Sequence, residues 1–423
     1  MMSLLLVSCQ SFRTYESKPL DPEWSAANFS GRKLASKSMS VEELADVAWK
    51  NNGDLKVARA KFDEARAAIG TASQRLNPTL TAGPTLNLPK VAALSLWMHA
   101  FNLDIPIETA GKRPARIEKS RQAAETARLE AVNAAWTIRT EVRKSALDFE
   151  AARRRAEFID TQIKVQREMM GLLERRVASG ESARTELTAV RLLANQTELL
   201  LGDANRQQEV ARASLASAVG MPVLALEGIE LRWKDFESPS DPGSVKSTAL
   251  LHRADILAAV SDYAVAEASL KLEIARQYPD FHINPLGYQW DQGVHKWSLG
   301  WTGELPVMNH NQGPVAEAEA ARASTAARFE ALQARVIGDL EKAEASWKGS
   351  KAKVAAADRL VAGQEDAVRR AADLVKAGES DQLEVLSAEI ELAAARQGRL
   401  EALIETQSAL GELEAIIQQP VKP

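Results

Sequence analysis

The stretch LWMHAFNLDIPIETAGKRP, from Leu96 to Pro114, alternates before it coils. Trp97, His99, Phe101, Leu103, Ile105 and Ile107 fall on one side of a period of two, while Leu96, Met98, Ala100, Asn102, Asp104 and Pro106 fall on the other. One face is apolar and aromatic and the other ends polar and acidic, the pattern of a strand with two unlike surfaces. A turn and Pro114 then open a long Ala-rich run with helical character. Farther along, KWSLGWTGELPVMNHNQGP (Lys296 to Pro314) does the same, with Trp297, Leu299, Trp301, Gly303, Leu305 and Val307 opposed to Lys296, Ser298, Gly300, Thr302, Glu304 and Pro306.

The likeness extends over the whole chain. Asn77-Pro78 matches Tyr278-Pro279, Ile105-Pro106-Ile107 matches Leu305-Pro306-Val307, and Pro114 matches Pro314. Gly180-Glu181-Ser182 matches Gly378-Glu379-Ser380, and Pro222 matches Pro420, all in one order. Such self-similarity is the mark of a duplicated architecture. The expected organisation is an N-terminal extension over 1–39, a first repeat over 40–232, a linker over 233–245, a second repeat over 246–420 and a tail at 421–423.

Each repeat reads as helix, two strands, a very long helix, a Gly turn and a returning helix. The first helix runs from Ser40 to Arg75 with a break near Asn51-Asn52-Gly53, and its counterpart from Lys246 to Gln277. Strands are expected near 78–88, 96–107, 280–290 and 296–307. The long helices run from Pro114 to Ala178 and from Pro314 to Ala377, with Pro in the first turn, where a missing N–H costs nothing. At 1.5 Å per residue such a helix is roughly 100 Å long. Rods of that length have to lie side by side, and their many alanines permit close contact of coiled-coil type.

Composition removes several classes of function. The 423 residues carry a net charge of −4, which supplies no basic face for nucleic acid. No run of 18 apolar residues exists to make a spanning helix. The five histidines have no metal-ligand spacing, and no nucleophile elbow, phosphate loop, zinc-protease helix or paired-Cys motif is present, so neither a cofactor nor an enzyme is expected. The only cysteine, Cys9, ends Leu6-Val7-Ser8-Cys9, which resembles a bacterial lipobox and implies acylation of its thiol. The preceding apolar segment is short and has no basic start, and an incidental thiol is the alternative reading.

Segments of about 10 residues with two unlike faces match tilted strands that cross a bilayer in a barrel. An ordinary half-buried sheet alternates in the same way. With the aromatic face toward lipid, Trp97, Trp297 and Trp301 sit at the lipid boundary, and Asp104 and Glu304 point into the lumen. Four strands cannot close a barrel, and open edges are not tolerated in lipid. Two, three or four copies would supply about 8, 12 or 16 strands.

The duplicated layout from about Ser40 to Pro420 resembles the TolC-like outer-membrane efflux family, and PIETAGKRPARI (Pro106 to Ile117) with LPVMNHNQGPVAEAEA (Leu305 to Ala320) is similar to its CzcC-like heavy-metal-efflux branch. The resemblance implies a mainly α fold with a small β part, a homotrimer whose roughly 12 strands form one outer-membrane barrel continuous with a periplasmic α-barrel. It also implies partnership with a periplasmic adaptor and an inner-membrane efflux pump, and passive conduction of substrate. Glu186 and Glu384, each six residues beyond a turn glycine, occupy the family's acidic positions at the pore entrance, while Ser380 stands at its latch-arginine position and Ser387 at a further acidic one. The alternative is a periplasmic adaptor or coiled-coil scaffold that never enters the membrane.

Overall fold

A computed structural model describes residues 14–86, 97–233, 236–239, 251–291 and 294–421. Two helices of very unequal length dominate each repeat. In the first, α2 (Val41–Asn51) and α3 (Gly53–Ser73) lead to β2 (Thr79–Leu86) and β3 (Trp97–Ile107), then to α4 (Lys112–Ser179) and the returning α5 (Arg184–Val219). In the second, α6 (Ala254–Ala275) leads to β5 (Phe281–Asp291) and β6 (Val294–Gly303), then to α7 (Gln312–Ala377) and the returning α8 (Gln382–Ile417). Further elements are α1 (Pro22–Ser30), a two-stranded parallel sheet of β1 (Ser38–Met39) and β4 (Glu230–Leu231), and a 3-10 turn at Val223–Leu226. The extension, the small sheet's pairing and the turn had no periodic signature in the sequence.

Local chemistry explains the breaks. Ser40 closes a capping box with Glu43, and Asn52 ends α2 while its side chain accepts from Asp54 N–H to start α3. The expected interruption at Asn51-Asn52-Gly53 is therefore a change of helix. Position 246–250 of the expected helix from Lys246 lies outside the described residues, and α6 itself begins at Ala254.

The helices pack side by side: α3, α4, α6 and α7 neighbour one another in that order near the sheet, and α5, α4, α8 and α7 do so in the lower half. The largest core lies where α2 packs on the α4–α5 pair. Leu44, Ala48 and Leu55 meet Val142, Ala146, Phe149, Leu215 and Val219 there, all fully buried or nearly so. The second repeat has a smaller equivalent in which Leu340, Ala343 and Trp347 of α7 meet Leu410, Leu413 and Ile417 of α8.

Between the repeats, α4 and α8 run antiparallel along a seam that carries buried charge. Glu414 Oε2 accepts from Arg143 Nε at 2.9 Å and lies 3.3 Å from Arg139 Nη1, while its other oxygen accepts from Val421 N–H at 2.8 Å. Burial pulls the Arg143 guanidinium below its usual range, and the Glu414 carboxylate opposes that pull. The segment expected as a plain linker is partly built into this seam. Phe236 is 1% exposed among Leu147, Leu400 and Leu403, its carbonyl accepts from Gln407 Nε2, and Arg154 lies 3.9 Å over its ring. Glu237 then binds Arg154 of α4 and Arg399 of α8 at once, at 2.9 and 2.6 Å.

Truncating Glu414 to Ala leaves two buried guanidiniums without a carboxylate, and breaking a buried pair in this way costs about 3–5 kcal/mol. Unfolding in detergent should therefore shift strongly in Glu414→Ala, while Glu412→Ala on the same helix stays close to the parent. Equal stability of the two variants would show that the buried cluster does not hold the seam.

Candidate functional site

The four long strands form one antiparallel sheet in the order β2-β3-β5-β6, so the two repeats meet at β3 and β5. Its register settles which side chains share a face. Leu86 stands opposite Trp97 and Ala82 opposite Phe101; Phe101 stands opposite Tyr288, and Tyr288 opposite Trp297. Rings meet across the strands on that side, stacked in the first of the following pairs, tilted in the second and edge-on in the third. His99 and Trp290 lie 5.6 Å apart, Tyr288 and Trp297 4.8 Å, and Phe281 and Trp301 6.0 Å. Trp97, Trp297 and Trp301 are 49%, 68% and 71% exposed, so this apolar face of the single chain is uncovered. An aromatic surface of that size marks a contact with another apolar phase or another protein.

β5 keeps the pattern by breaking it. Leu103 pairs with Leu286 but Ile105 pairs with Ile283, so one extra residue of β5 bulges beside Pro285. A single alternation therefore does not run the length of β5: Phe281 and Ile283 carry the apolar phase before the bulge, and Leu286, Tyr288 and Trp290 carry it past the bulge. Proline has no N–H to lose from a ladder, which is why it is tolerated at a bulge. Pro84, its counterpart, stays in register opposite His99 on β2, an edge strand of the sheet.

The opposite face is polar. Asp104 Oδ2 lies 2.8 Å from His282 Nδ1, and Asn102 Nδ2 donates to Asn284 Oδ1 at 3.4 Å. His282 had drawn no role in the sequence, although it alternates with Phe281 and Ile283 and so belongs to the polar face. Glu304 is placed differently from expectation. β6 ends at Gly303, and Glu304 is an exposed residue just below the strand, lining a cavity of about 630 Å³ with Lys112, Asp280, His282 and Asn311.

That cavity marks the foot of the sheet, where Lys112, Arg113 and Arg116 join strands to helices. Lys112 Nζ binds Asp280 Oδ1 at 2.8 Å, and Thr109 N–H donates to the same oxygen at 2.8 Å. Arg113 donates to Ser73 O at 2.7 Å and Arg116 to Ala72 O at 2.9 Å, so both satisfy carbonyls at the end of α3. The second repeat has Gln312-Gly313 at the matching place, and there Asn311, in left-handed conformation, donates to Glu273 O at 2.7 Å.

At the far end each repeat turns on a glycine. Gly180 and Gly378 adopt φ of 80° and 76°, and the next N–H, of Glu181 or Glu379, closes back onto Arg176 O or Leu374 O. Glu186 and Glu384 sit exposed in the first turns of α5 and α8, where a carboxylate also complements the helix N-terminus. The Ser380 hydroxyl donates to Glu384. Each Glu belongs to its own hairpin, and near the tip the hairpins are tied by Arg176 Nη1 on Asp381 Oδ2 at 2.8 Å and by Met169 and Leu173 packed with Leu386. Cys9 lies outside the described residues. Among those described, no His, Cys, Asp and Glu group has the makings of a metal site, and no helix is long and apolar enough to cross a membrane.

Comparison with known proteins places these features. The Outer membrane efflux protein family matches residues 44–221 and 245–418. The chain is 26% identical to the cobalt-zinc-cadmium resistance protein CzcC of Cupriavidus metallidurans over 90% of its length and 91% of that protein's. It is 24% identical to the pyoverdine export outer membrane protein OpmQ of Pseudomonas putida over 61% of this chain and 57% of that one. Its fold superposes on the outer membrane protein VceC of Vibrio cholerae with a TM-score of 0.74 at 19% identity, covering 90% and 97% of the two chains.

Burial pushes the Asp280 carboxyl up, but Lys112 and the Thr109 N–H together hold it below the usual carboxylate range. A carboxyl depressed by folding stabilises the protein fully above its unfolded pKa of about 3.9 and loses that contribution as pH falls through the lower folded value. Asp280→Asn should therefore melt below the parent at neutral pH, and the gap should close as pH falls below about 4. A gap that is constant with pH would mean that the Asp280 charge contributes nothing to the junction.

Proposed function

The chain belongs to the outer membrane efflux protein family, and on that premise we propose that three copies close their sheets into one barrel and their helices into one tunnel. Substrate delivered by an inner-membrane pump through a periplasmic adaptor passes out along it, with no chemistry performed on the way. The observation that carries this reading is the sheet itself: one face aromatic and uncovered, the other polar, with both outer strands lacking a neighbour among the described residues. Backbone groups on such edges must be paired in lipid, and closure with further copies pairs them. A scaffold that stayed in the periplasm would have no use for the aromatic face.

The resemblance to CzcC over most of both chains supports divalent transition-metal cations as cargo. In this arrangement Trp97, Trp297 and Trp301 face lipid, Asp104 and Glu304 face the lumen or its foot, and acylated Cys9 adds an anchor. Glu186 and Glu384 form carboxylate rings near the narrow entrance, where repeated negative charge favours cations.

Detergent-purified protein in a planar lipid bilayer should give discrete conductance steps with a preference for cations. Failure to insert into the bilayer at all would return the protein to the scaffold reading. Glu384→Gln should lower the cation-to-anion permeability ratio without loss of insertion; an unchanged reversal potential under a salt gradient would remove Glu384 from the selectivity-determining region.

A further inference from the structure

At the foot of the sheet the polar face gathers Asp104, His282 and Glu304 from three different strands or their ends. Asp104 Oδ2 of β3 lies 2.8 Å from Nδ1 of His282 on β5, and Thr302 of β6 stands opposite His282. Glu304 lies two residues beyond Thr302 and keeps its side, and the diagonal between such positions, roughly 7–8 Å, is within reach of long side chains. His282, Thr302 and Glu304 line the same cavity of about 630 Å³.

The hydrogen bond decides what His282 offers. A carboxylate oxygen only accepts, so Nδ1 carries the proton and the neutral ring keeps its lone pair on Nε2, the nitrogen that Asp104 does not hold. An imidazole oriented by a carboxylate in this way is the arrangement that stands behind metal-ligating histidines. The His282 side chain is 44% exposed, so an incoming ion can reach it. Charge points the same way. Lys112 in the cavity wall is matched by Asp280 at 2.8 Å, and Arg276 by Glu273 at 2.6 Å. Among the described residues, Asp104 and Glu304 are the carboxylates beside His282 that have no Lys or Arg partner.

We propose that His282 Nε2 and the Glu304 carboxylate take a divalent transition-metal cation between them, with Asp104 orienting the imidazole, as a stopping place for cargo entering the barrel. This rests on the cargo reading above. Among the described residues no three His, Cys, Asp or Glu side chains converge to hold a resident metal. Two ligands suit a passage better, since conduction requires binding favourable enough to enter and weak enough to leave. The imidazole also sets zinc or nickel apart from magnesium and calcium, which take oxygen ligands.

Carbethoxylation of the detergent-purified full-length protein tests this. Diethyl pyrocarbonate attacks the free nitrogen of a neutral imidazole, and peptide mass spectrometry reads each histidine separately. Without metal His282 should react; Zn²⁺ should slow it severalfold, while Mg²⁺ leaves it unchanged and neither ion alters the exposed His252 and His310 comparably. Glu304→Gln should raise the half-protecting Zn²⁺ concentration at least about tenfold, and Asp104→Asn by about 10–100-fold, the range for groups that orient a ligand. An unreactive His282, equal protection by Mg²⁺, or protection unchanged in Glu304→Gln overturns the proposal. The assay needs no bilayer, so the two readings fail separately. A protein that gives conductance steps without protection of His282 loses only this site, and one that protects His282 yet never inserts keeps the site and loses the channel.

Discussion

Backbone groups in a hydrocarbon layer have no water to turn to, and that constraint governs this structure more than any side-chain contact. A sheet of four strands leaves one side of β2 and one side of β6 unpaired. The aromatic face of the same sheet is uncovered, so it suits only an apolar surrounding, where the open edges are least affordable. Neither condition can be met by one chain, and both are met when sheets close edge to edge. The long helices follow from the same closure. Near the sheet α3, α4, α6 and α7 neighbour one another in a single row, the arrangement a wall requires.

The foot of the sheet shows what it takes to pass from one kind of wall to the other. Strand spacing of about 4.8 Å is half the distance between packed helices, about 8–10 Å, so not every strand can continue into a helix of its own without rearrangement. Each repeat solves this with two strands above two helices, and the turn between β3 and α4 carries the mismatch. Ala110 and Gly111 are both left-handed there, and the Lys112, Arg113 and Arg116 side chains fan out to Asp280 and to the last carbonyls of α3. The Lys-Arg pair that marked a branch resemblance in the sequence thus has a physical task in this chain: it satisfies helix-end carbonyls and fixes the angle between strands and rods.

Most of the fold was legible because its signals are periodic or categorical. Alternation in 97–107 and 297–303, proline at the helix starts, glycine at the turns and the long Ala-rich runs each point to one local geometry. What escaped was set by partners distant in sequence. The bulge at Pro285 exists because β5 must match β3 and β6 together, and it shifted the apolar phase by one residue. The burial of Phe236 could not be read from a segment rich in Pro, Ser and Asp, since its site is built by α4 and α8. Glu304 continues the alternation in sequence, but β6 ends before it, and period two alone does not say where a ladder stops. His282 alternates with Phe281 and Ile283, so period two puts it on the polar face with Asp104, although no metal-ligand spacing marks it.

A duplicated chain that closes on copies of itself has two kinds of seam with one geometry, and the two need not be equally charged. Arg139, Arg143 and Glu414 are buried together inside the chain, so their desolvation is settled once, during folding, with the partners tethered. The same cluster between copies would have to be desolvated in a bimolecular step that already loses translational and rotational freedom. In the first repeat the position equivalent to Glu414 is Ala216, buried in the core of its own chain, so no carboxylate has to be desolvated there. Divergence of the halves therefore places the buried ionic cluster where the chain's covalent continuity supports it.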